Sequence, residues 1–205
     1  MSDLFDVIHE RRSVRKYLPK PVPKELIQEV LKDAGWAPSA HNAQPYRFIV
    51  LENATIKEEL AEAMAKVWVA DLSKDGETIE ADRLKDRVDR FAKAPALILA
   101  CITSIEGLPS YTDERRQRCL HDLAVQSLGA AIENLLLAAH AKGLGACWYS
   151  APCFCKETVN QNLGLPDEAE PQAFVVLGYP AETPSVPLKK SLTEYCFVDA
   201  WGKKL

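Results

Sequence analysis

The chain has 205 residues, of which 47% are apolar and 26% charged, a globular composition that excludes disordered, collagen-like and coiled-coil classes. Its formal net charge of −4 removes the overall electrostatic argument for binding nucleic acid or an anionic membrane, so any anion site must be local. Since no repeat or Gly/Ser-rich linker divides the sequence, we expect a single domain over residues 1–205.

The first half of the chain alternates predicted helices with one strand. A helix over residues 3–10 ends at a group of arginines, and a second helix runs from about 24 to 35, where apolar residues recur at helical spacing. Residues 47–51 are predicted to form a short buried strand, which an amphipathic helix near 56–69 follows. Residues 68–94 are strongly charged with a thin apolar stripe, which predicts a variable lid excursion.

The second half of the chain contains the predicted core. Two nearly continuous apolar runs, 95–102 and 173–178, are typical of central strands covered on both faces. Between them, residues 120–141 predict a helix that is apolar nearly all round and therefore buried between layers or in a subunit interface. Shorter elements, a strand and a helix, are predicted at 146–149 and 156–163. The Pro-rich, basic tail from Pro180 is interpreted as packing over a neighbouring subunit.

The sequence also bears on location and metals. The N-terminus lacks a cationic segment followed by a long apolar run, and no later stretch approaches the roughly 18 apolar residues that span a bilayer. We therefore predict a soluble cytoplasmic protein with no membrane partner. Its six cysteines are expected to stay reduced, and because they include no paired C-x-x-C spacing, no metal site is predicted.

A cationic group follows the first predicted helix: Arg11, Arg12, Ser13 and Arg15. Extended spacing would aim Arg11, Ser13 and Arg15 the same way, and guanidinium groups with a hydroxyl suit phosphate oxygens. Lys189 and Lys190, far along the chain, could complete the same pocket. The alternative is that the arginines are solvated cations that stabilise the C-terminus of the helix.

A second polar stretch, residues 37–48, links a predicted helix to a predicted strand. Its amide and hydroxyl groups, on Ser39, Asn42 and Gln44, can donate and accept hydrogen bonds together. A planar heterocycle with alternating donors and acceptors, such as an isoalloxazine ring, requires side chains of this kind. The alternative is that they only cap the loop, and His41 is either a ligand contact or a polar loop residue.

Taken together, these motifs resemble the nitroreductase family of flavin enzymes over nearly the whole chain. The resemblance rests on the order and spacing of R-R-S-x-R at 11–15, A-P-S-x-x-N-x-Q-P at 37–45, G-L-G-A-C-W at 143–148 and G-Y-P-A-E at 178–182. Within the family, residues 147–155 are most similar to the subgroup that includes the flavin-binding domain of deazaflavin-coenzyme glutamate ligases. The sequence contains no ligase domain, so the ligase activity is not implied.

The resemblance implies an α+β fold with helices flanking a mixed central sheet, and a homodimer with interlocked C-terminal segments. It implies one FMN in each of two clefts at the subunit interface. The residues carried over as cofactor contacts are Arg11, Arg12, Ser13, Arg15, Pro38, Ser39, Ala40, His41, Asn42, Gln44, Tyr149, Ser150, Lys189 and Lys190. The arginines and lysines would meet the phosphate and ribityl side, Tyr149 and Ser150 the isoalloxazine edge, and residues 38–42 would come from the other subunit.

The implied activity is hydride transfer from NADH or NADPH through flavin N5 to a small aromatic, nitro, quinone or related acceptor, by ping-pong exchange. No catalytic side chain is predicted, because the chemistry belongs to the flavin. An alternative from another class is a non-catalytic protein that binds a flavin or deazaflavin for storage, sensing or transfer. A Rossmann site is disfavoured, since Gly143-x-Gly145 lacks the third glycine and follows a helix.

Overall fold

A four-stranded sheet in the order β1-β2-β4-β3 forms the middle of the protein in a computed structural model that describes residues 3–105 and 111–205. The strands are β1 (Tyr46–Leu51), β2 (Ala96–Ile102), β3 (Gly145–Tyr149) and β4 (Glu170–Gly178). All three strand pairs are antiparallel. The predicted mixed sheet is corrected in this respect, because its parallel pairing is limited to a bridge between Ser13 and Ala146 at the β3 edge.

Helices cover both faces of the sheet, which confirms the predicted α+β class. They are α1 (Leu4–Glu10), α2 (Lys24–Ala34), α3 (Ala54–Lys74), α4 (Ala81–Ala92), α5 (Glu114–Ala141), α6 (Lys156–Leu163) and α7 (Leu192–Tyr195). After β1 the chain runs back in α3 and forward again in α4, so it enters β2 near the end at which β1 finished. β2 therefore runs antiparallel to β1. α5 begins earlier than predicted because the side chain of Asp113 accepts a hydrogen bond from the backbone N of Arg116, 3.0 Å away.

The sheet separates two apolar layers. α2 and α5 pack on one face, where Val30, Ala131 and Leu135 are fully buried. α3, α4 and α6 cover the other face through Leu60, Phe91 and Val159. Every residue of β2 is buried, which confirms the prediction of a central strand covered on both faces.

α5 is also long and apolar enough to cross a membrane, with a mean hydropathy of 1.2 over its best 18-residue window. The core helix of a soluble protein passes the same test, and here Leu128, Ala131 and Ile132 lie in the core beneath the sheet. The high hydropathy of α5 is therefore as consistent with burial inside the fold as with a membrane span.

The segment predicted as a lid comprises the end of α3, a turn and α4. α4 is attached to the body of the protein by Phe91, whose ring centroid lies 5.0 Å from that of Phe174 in β4. The charged residues of α4 lie outside this attachment, most of them exposed. α3 and α4 thus form an antiparallel hairpin beside one end of β3.

Candidate functional site

The cationic segment after α1 lies along the β3 edge of the sheet, and two motif glycines permit this. The backbone N of Val14 donates to the carbonyl of Ala146 at 3.0 Å. A Cβ on Gly145 would lie 2.8 Å from the Cβ of Val14, and one on Gly178 would lie 2.7 Å from the ring of Tyr17. Because real Cβ atoms do not approach neighbours so closely, both positions require glycine.

Glu182, the last residue of the G-Y-P-A-E motif, holds the same segment. Its Oε1 accepts hydrogen bonds from the backbone N of Arg15 at 2.7 Å and of Lys16 at 3.1 Å. The bond from Arg15 and then that from Lys16 keep the pKa of Glu182 below its usual range, because they stabilise the charged carboxylate. Sequence reasoning did not assign a role to Glu182, although the motif that contains it was recognised.

We expect acid to release this segment. Since the pKa of Glu182 is lower in the folded protein than the usual 4.5, its contribution is complete above pH 4.5 and disappears as pH falls through the lowered value. Hydrogen exchange at the amides of Arg15 and Lys16 should therefore accelerate in acid beyond its intrinsic pH dependence, with the buried amide of Ala100 as control. In Glu182→Gln the acid step should be absent; a step of the same size in that variant would contradict the assignment.

Arg11 and Arg12 line a cavity of about 210 Å³ that α1, α5 and the start of β3 enclose. The Nε of Arg11 lies 3.4 Å from Oε1 of Glu133, an ion pair, yet this Nε is buried and has no hydrogen-bond acceptor among the described residues. An anion in the cavity could pair with the guanidinium of Arg11. Arg12 instead donates to the carbonyls of His9 at 2.6 Å and Arg11 at 2.7 Å, as in the alternative in which it caps the helix.

Arg15 lies in a different cleft from Arg11. With Tyr17, Arg90 and Lys93 it lines a cleft of about 490 Å³, and its guanidinium donates to the carbonyl of Ser13 at 3.3 Å. Equal spacing in the sequence predicts a common direction for Arg11 and Arg15. The two diverge because Arg11 is the C-cap of α1 and only the residues after it are aligned with β3.

The loop over residues 38–44 has a strained backbone. Three residues that are not glycine adopt left-handed conformations, with φ of 53° at His41, 54° at Asn42 and 48° at Gln44. Such conformations are uncommon for residues other than glycine, although Asn and His adopt them more readily than most, and clusters of them occur at ligand clamps. Two side chains hold the loop: the Oγ of Ser127 in α5 accepts from the backbone N of Ala40 at 3.1 Å, and the Oγ of Ser39 accepts from that of Gln44 at 3.0 Å.

Replacing the buried Ser127 by alanine is expected to loosen this loop. The variant leaves the amide of Ala40 without its acceptor, which costs about 1 kcal/mol in a typical case. Chemical denaturation should show a lower midpoint, and the amide of Ala40 should exchange faster. Ser185→Ala, in the exposed C-terminal segment, is the matched control. An unchanged exchange rate at Ala40 would exclude a role of Ser127 in holding the loop.

Tyr149 ends β3 inside a cluster of aromatic and cationic side chains. Its ring meets Phe91 edge-on, with centroids 5.4 Å apart, and the guanidinium of Arg90 lies 5.3 Å from its centroid. Burial, with a contribution from Cys147, raises the pKa of Tyr149, so its hydroxyl stays protonated at neutral pH. Ser150 follows in an exposed position. Nothing in the sequence distinguishes Arg90 from the other charged residues of its helix.

One copy of the chain does not bring all the predicted contacts together. The loop over residues 38–42 is attached to Ser127, and no hydrogen bond or ion pair between described residues joins it to the segment 11–15. Lys189 and Lys190 lie in an exposed part of the C-terminal segment next to Leu188, which is 100% exposed. The predicted contacts therefore do not share one place on the surface of a single chain.

Comparison with known proteins identifies the family to which this chain belongs. A family model described as the nitroreductase family matches residues 8–179. YfhC of Bacillus subtilis, assigned by name to the NAD(P)H nitroreductases, is 30% identical over 197 residues, 94% of each chain. A Methanothermobacter thermautotrophicus protein, named as an NADH dehydrogenase/NAD(P)H nitroreductase, is 32% identical over 89% of this chain and 80% of its own. The solved structure of a BluB-like flavoprotein from Clostridium difficile 630 superposes with a TM-score of 0.78 at 27% identity, over 98% of this chain and 100% of that one.

Proposed function

Because the chain belongs to the nitroreductase family, we propose that it is an FMN-dependent oxidoreductase. In this proposal it takes a hydride from NADH or NADPH and reduces a small aromatic, nitro, quinone or related acceptor. FMN, when bound, supplies the hydride and electron chemistry, while the protein supplies binding, orientation and electrostatics. The observation that carries the proposal is Arg11, which lines a cavity at the sheet edge and whose buried Nε has no hydrogen-bond acceptor among the described residues.

The described residues fit the phosphate end of such a cofactor. The guanidinium of Arg11 is partly buried, with 24% of its side chain exposed, so a charge-assisted bond to it is only partly screened by solvent. Arg12 lines the same cavity, and Ser13 stands where the segment meets β3. We propose that Arg11 and Ser13 bind the phosphate and the adjacent ribityl chain, with Arg12 beside them, and that Arg15 contacts the cofactor farther along the sheet edge.

The ring of the cofactor is proposed to lie at the end of β3. Tyr149 and Ser150 would orient its edge, and Phe91 excludes water behind Tyr149. The left-handed loop at His41, Asn42 and Gln44 presents amide groups that suit the polar edge of a flavin. No side chain needs to act as a covalent nucleophile in this arrangement.

A second copy of the chain is proposed to complete the site. Leu4, Phe5 and Ile8 expose one apolar face of α1, and further large apolar side chains are exposed in the loop before residue 38 and in the C-terminal segment: Trp36, Val186, Leu188, Tyr195 and Trp201. Apolar surface of this extent is typical of protein interfaces. In the homodimer, residues 38–42 would reach the polar edge of the ring in the partner's site, and Lys189 or Lys190 would close the phosphate end of that site.

The cytoplasm is the proposed location of this enzyme. All six cysteines are free in the structure, as expected in a reducing compartment. Burial raises the pKa of Cys101 to about 12 and that of Cys155 to about 11, so these two thiols are expected to stay protonated and unreactive.

An anaerobic absorbance titration of the purified protein tests the proposal. A bound yellow chromophore, identified as FMN after release, should be bleached by NADH or NADPH and should regain its colour when a quinone or nitroaromatic acceptor is added. A flavin that neither nicotinamide reduces would contradict the proposed activity and favour storage, sensing or a deazaflavin donor. A preparation that stays colourless when FMN is supplied would exclude both.

A further inference from the structure

Three arginines of α4 form one face of that helix. Arg83, Arg87 and Arg90 are separated by four and then three residues, so they follow one another along the axis, about 10 Å from first to last at 1.5 Å per residue. None of the ion pairs between described residues involves any of the three. Burial first, then the like charges of Arg90 and Arg83, lower the pKa of Arg87, because both disfavour its charged form.

Two of these three arginines contact different aromatic rings. Arg90 lies 5.3 Å from the ring centroid of Tyr149, at the proposed flavin edge. Arg87 lies 3.8 Å from the ring centroid of Trp68 on α3. A guanidinium stacked on an indole keeps its N–H edge free, and that edge matches the oxygens of a phosphate.

Beside Arg87 the α3–α4 hairpin and the turn before α6 enclose a pocket of about 240 Å³. Its walls are mainly apolar and aromatic: Met64, Trp68, Leu72, Phe91 and Phe154. Phe154 is 81% exposed at its mouth. The volume is below the roughly 300 Å³ at which pockets for whole drug-sized ligands begin, so it suits one flat heterocycle.

We propose that this face and pocket bind the adenosine diphosphate half of the hydride donor. The pyrophosphate lies on Arg87 and its neighbours Arg83 and Arg90, the adenine enters the pocket against Trp68, and the nicotinamide extends past Arg90 toward the flavin. The inference rests on the proposed function, because it takes the flavin to lie beside Tyr149. A pyrophosphate would balance the charge of the three guanidinium groups, none of which forms an ion pair with a carboxylate among the described residues.

Two carboxylates line the pocket and indicate whether it binds NADH or NADPH. Asp71 and Asp75 line the α3 side, and Asp71 accepts a hydrogen bond from Nζ of Lys74 at 2.8 Å. Carboxylates beside an adenosine accept hydrogen bonds from ribose hydroxyls and repel a phosphate at the 2′ position. Because Lys74 offsets the charge of Asp71, the repulsion rests on Asp75, which forms no ion pair among the described residues. The donor inferred here is therefore NADH in preference to NADPH.

Calorimetric titration of the oxidised, FMN-loaded protein with ADP-ribose tests the subsite without any turnover. We expect saturable binding that weakens about tenfold or more in Arg87→Ala and remains weakened in Arg87→Lys, because lysine lacks the planar fork. Lys85→Ala, an exposed residue on the opposite side of α4, is the matched control and should bind as the unchanged protein does. 2′-Phospho-ADP-ribose should bind more weakly than ADP-ribose.

Steady-state kinetics separate this inference from the proposed function. In Arg87→Ala the KM for NADH should rise about tenfold at unchanged kcat, whereas the KM for 1-benzyl-1,4-dihydronicotinamide, which has no phosphate, should not change. Absent ADP-ribose binding, equal binding by Arg87→Ala, or equal KM increases for both donors would overturn the subsite. Equal or tighter binding of the 2′-phosphorylated probe would overturn the placement of the ribose. Flavin reduction by the phosphate-free donor would leave the proposed function standing in each case.

Discussion

Arg11→Ala is expected to weaken FMN binding by about 1.5 to 3 kcal/mol, roughly 10- to 150-fold, because it removes hydrogen bonds between a charged donor and the phosphate. The effect should be large at this arginine since its Nε is buried and has no hydrogen-bond acceptor among the described residues. Fluorescence titration of the apoprotein with FMN measures it. Arg118→Ala, on the exposed surface of α5, is the control.

Arg11→Lys distinguishes phosphate binding from a structural role of the Arg11–Glu133 ion pair. A lysine keeps the charge, so that its pairing with Glu133 and the fold are preserved, but it lacks the fork that binds phosphate oxygens. We expect this variant to keep its thermal stability and to bind FMN more weakly than the unchanged protein. Full FMN affinity in both variants would remove Arg11 from the phosphate site.

Gly178→Ala is expected to destabilise the protein by about 1 to 3 kcal/mol, the usual cost of overpacking. The added Cβ would lie 2.7 Å from Cδ1 of Tyr17 and 2.9 Å from Cγ of Pro95, and both rings are held in the fold. The change should also move the cationic segment off the sheet and lower FMN affinity. Urea denaturation and an FMN titration measure the two effects.

Gly129→Ala provides the matched control for this prediction. Gly129 lies inside α5, and a Cβ there would meet only Cη2 of Trp148 at 3.8 Å, an ordinary contact. Because alanine is the better helix former, this variant should be neutral or stabilised by up to about 1 kcal/mol. A Gly178→Ala protein as stable as Gly129→Ala would contradict the close approach of Tyr17 to the sheet.

The central strands and most helices follow from the sequence because hydrophobic periodicity determines them. The apolar runs at 95–102 and 173–178 become β2 and β4, and α6 covers its predicted residues. α3 and α5 extend beyond the predicted ranges, because the added residues at the end of α3 and the start of α5 are largely polar and carry no apolar period. Hydrophobic periodicity does not predict whether two strands run parallel or antiparallel, because that depends on the number of helices that connect them.

The order of the motifs predicts which residues to consider for the site, but not how they are arranged. Motif order identified the arginine segment and the amide loop, yet their φ values and the separate clefts of Arg11 and Arg15 depend on packing against α5 and β3. Glu182 and Arg90 went unassigned because their roles come from contacts 167 and 59 residues away in the sequence. The place of Lys189 and Lys190 stays a prediction, as does the similarity to the deazaflavin-ligase subgroup.

Analytical ultracentrifugation of the FMN-loaded protein, followed at the flavin absorbance and at 280 nm over a dilution series, measures most directly whether two chains form each site. We predict that the flavin signal sediments only with a dimer, and that dilution to monomers releases free FMN in proportion. Flavin that remains bound to a sedimenting monomer would contradict the account.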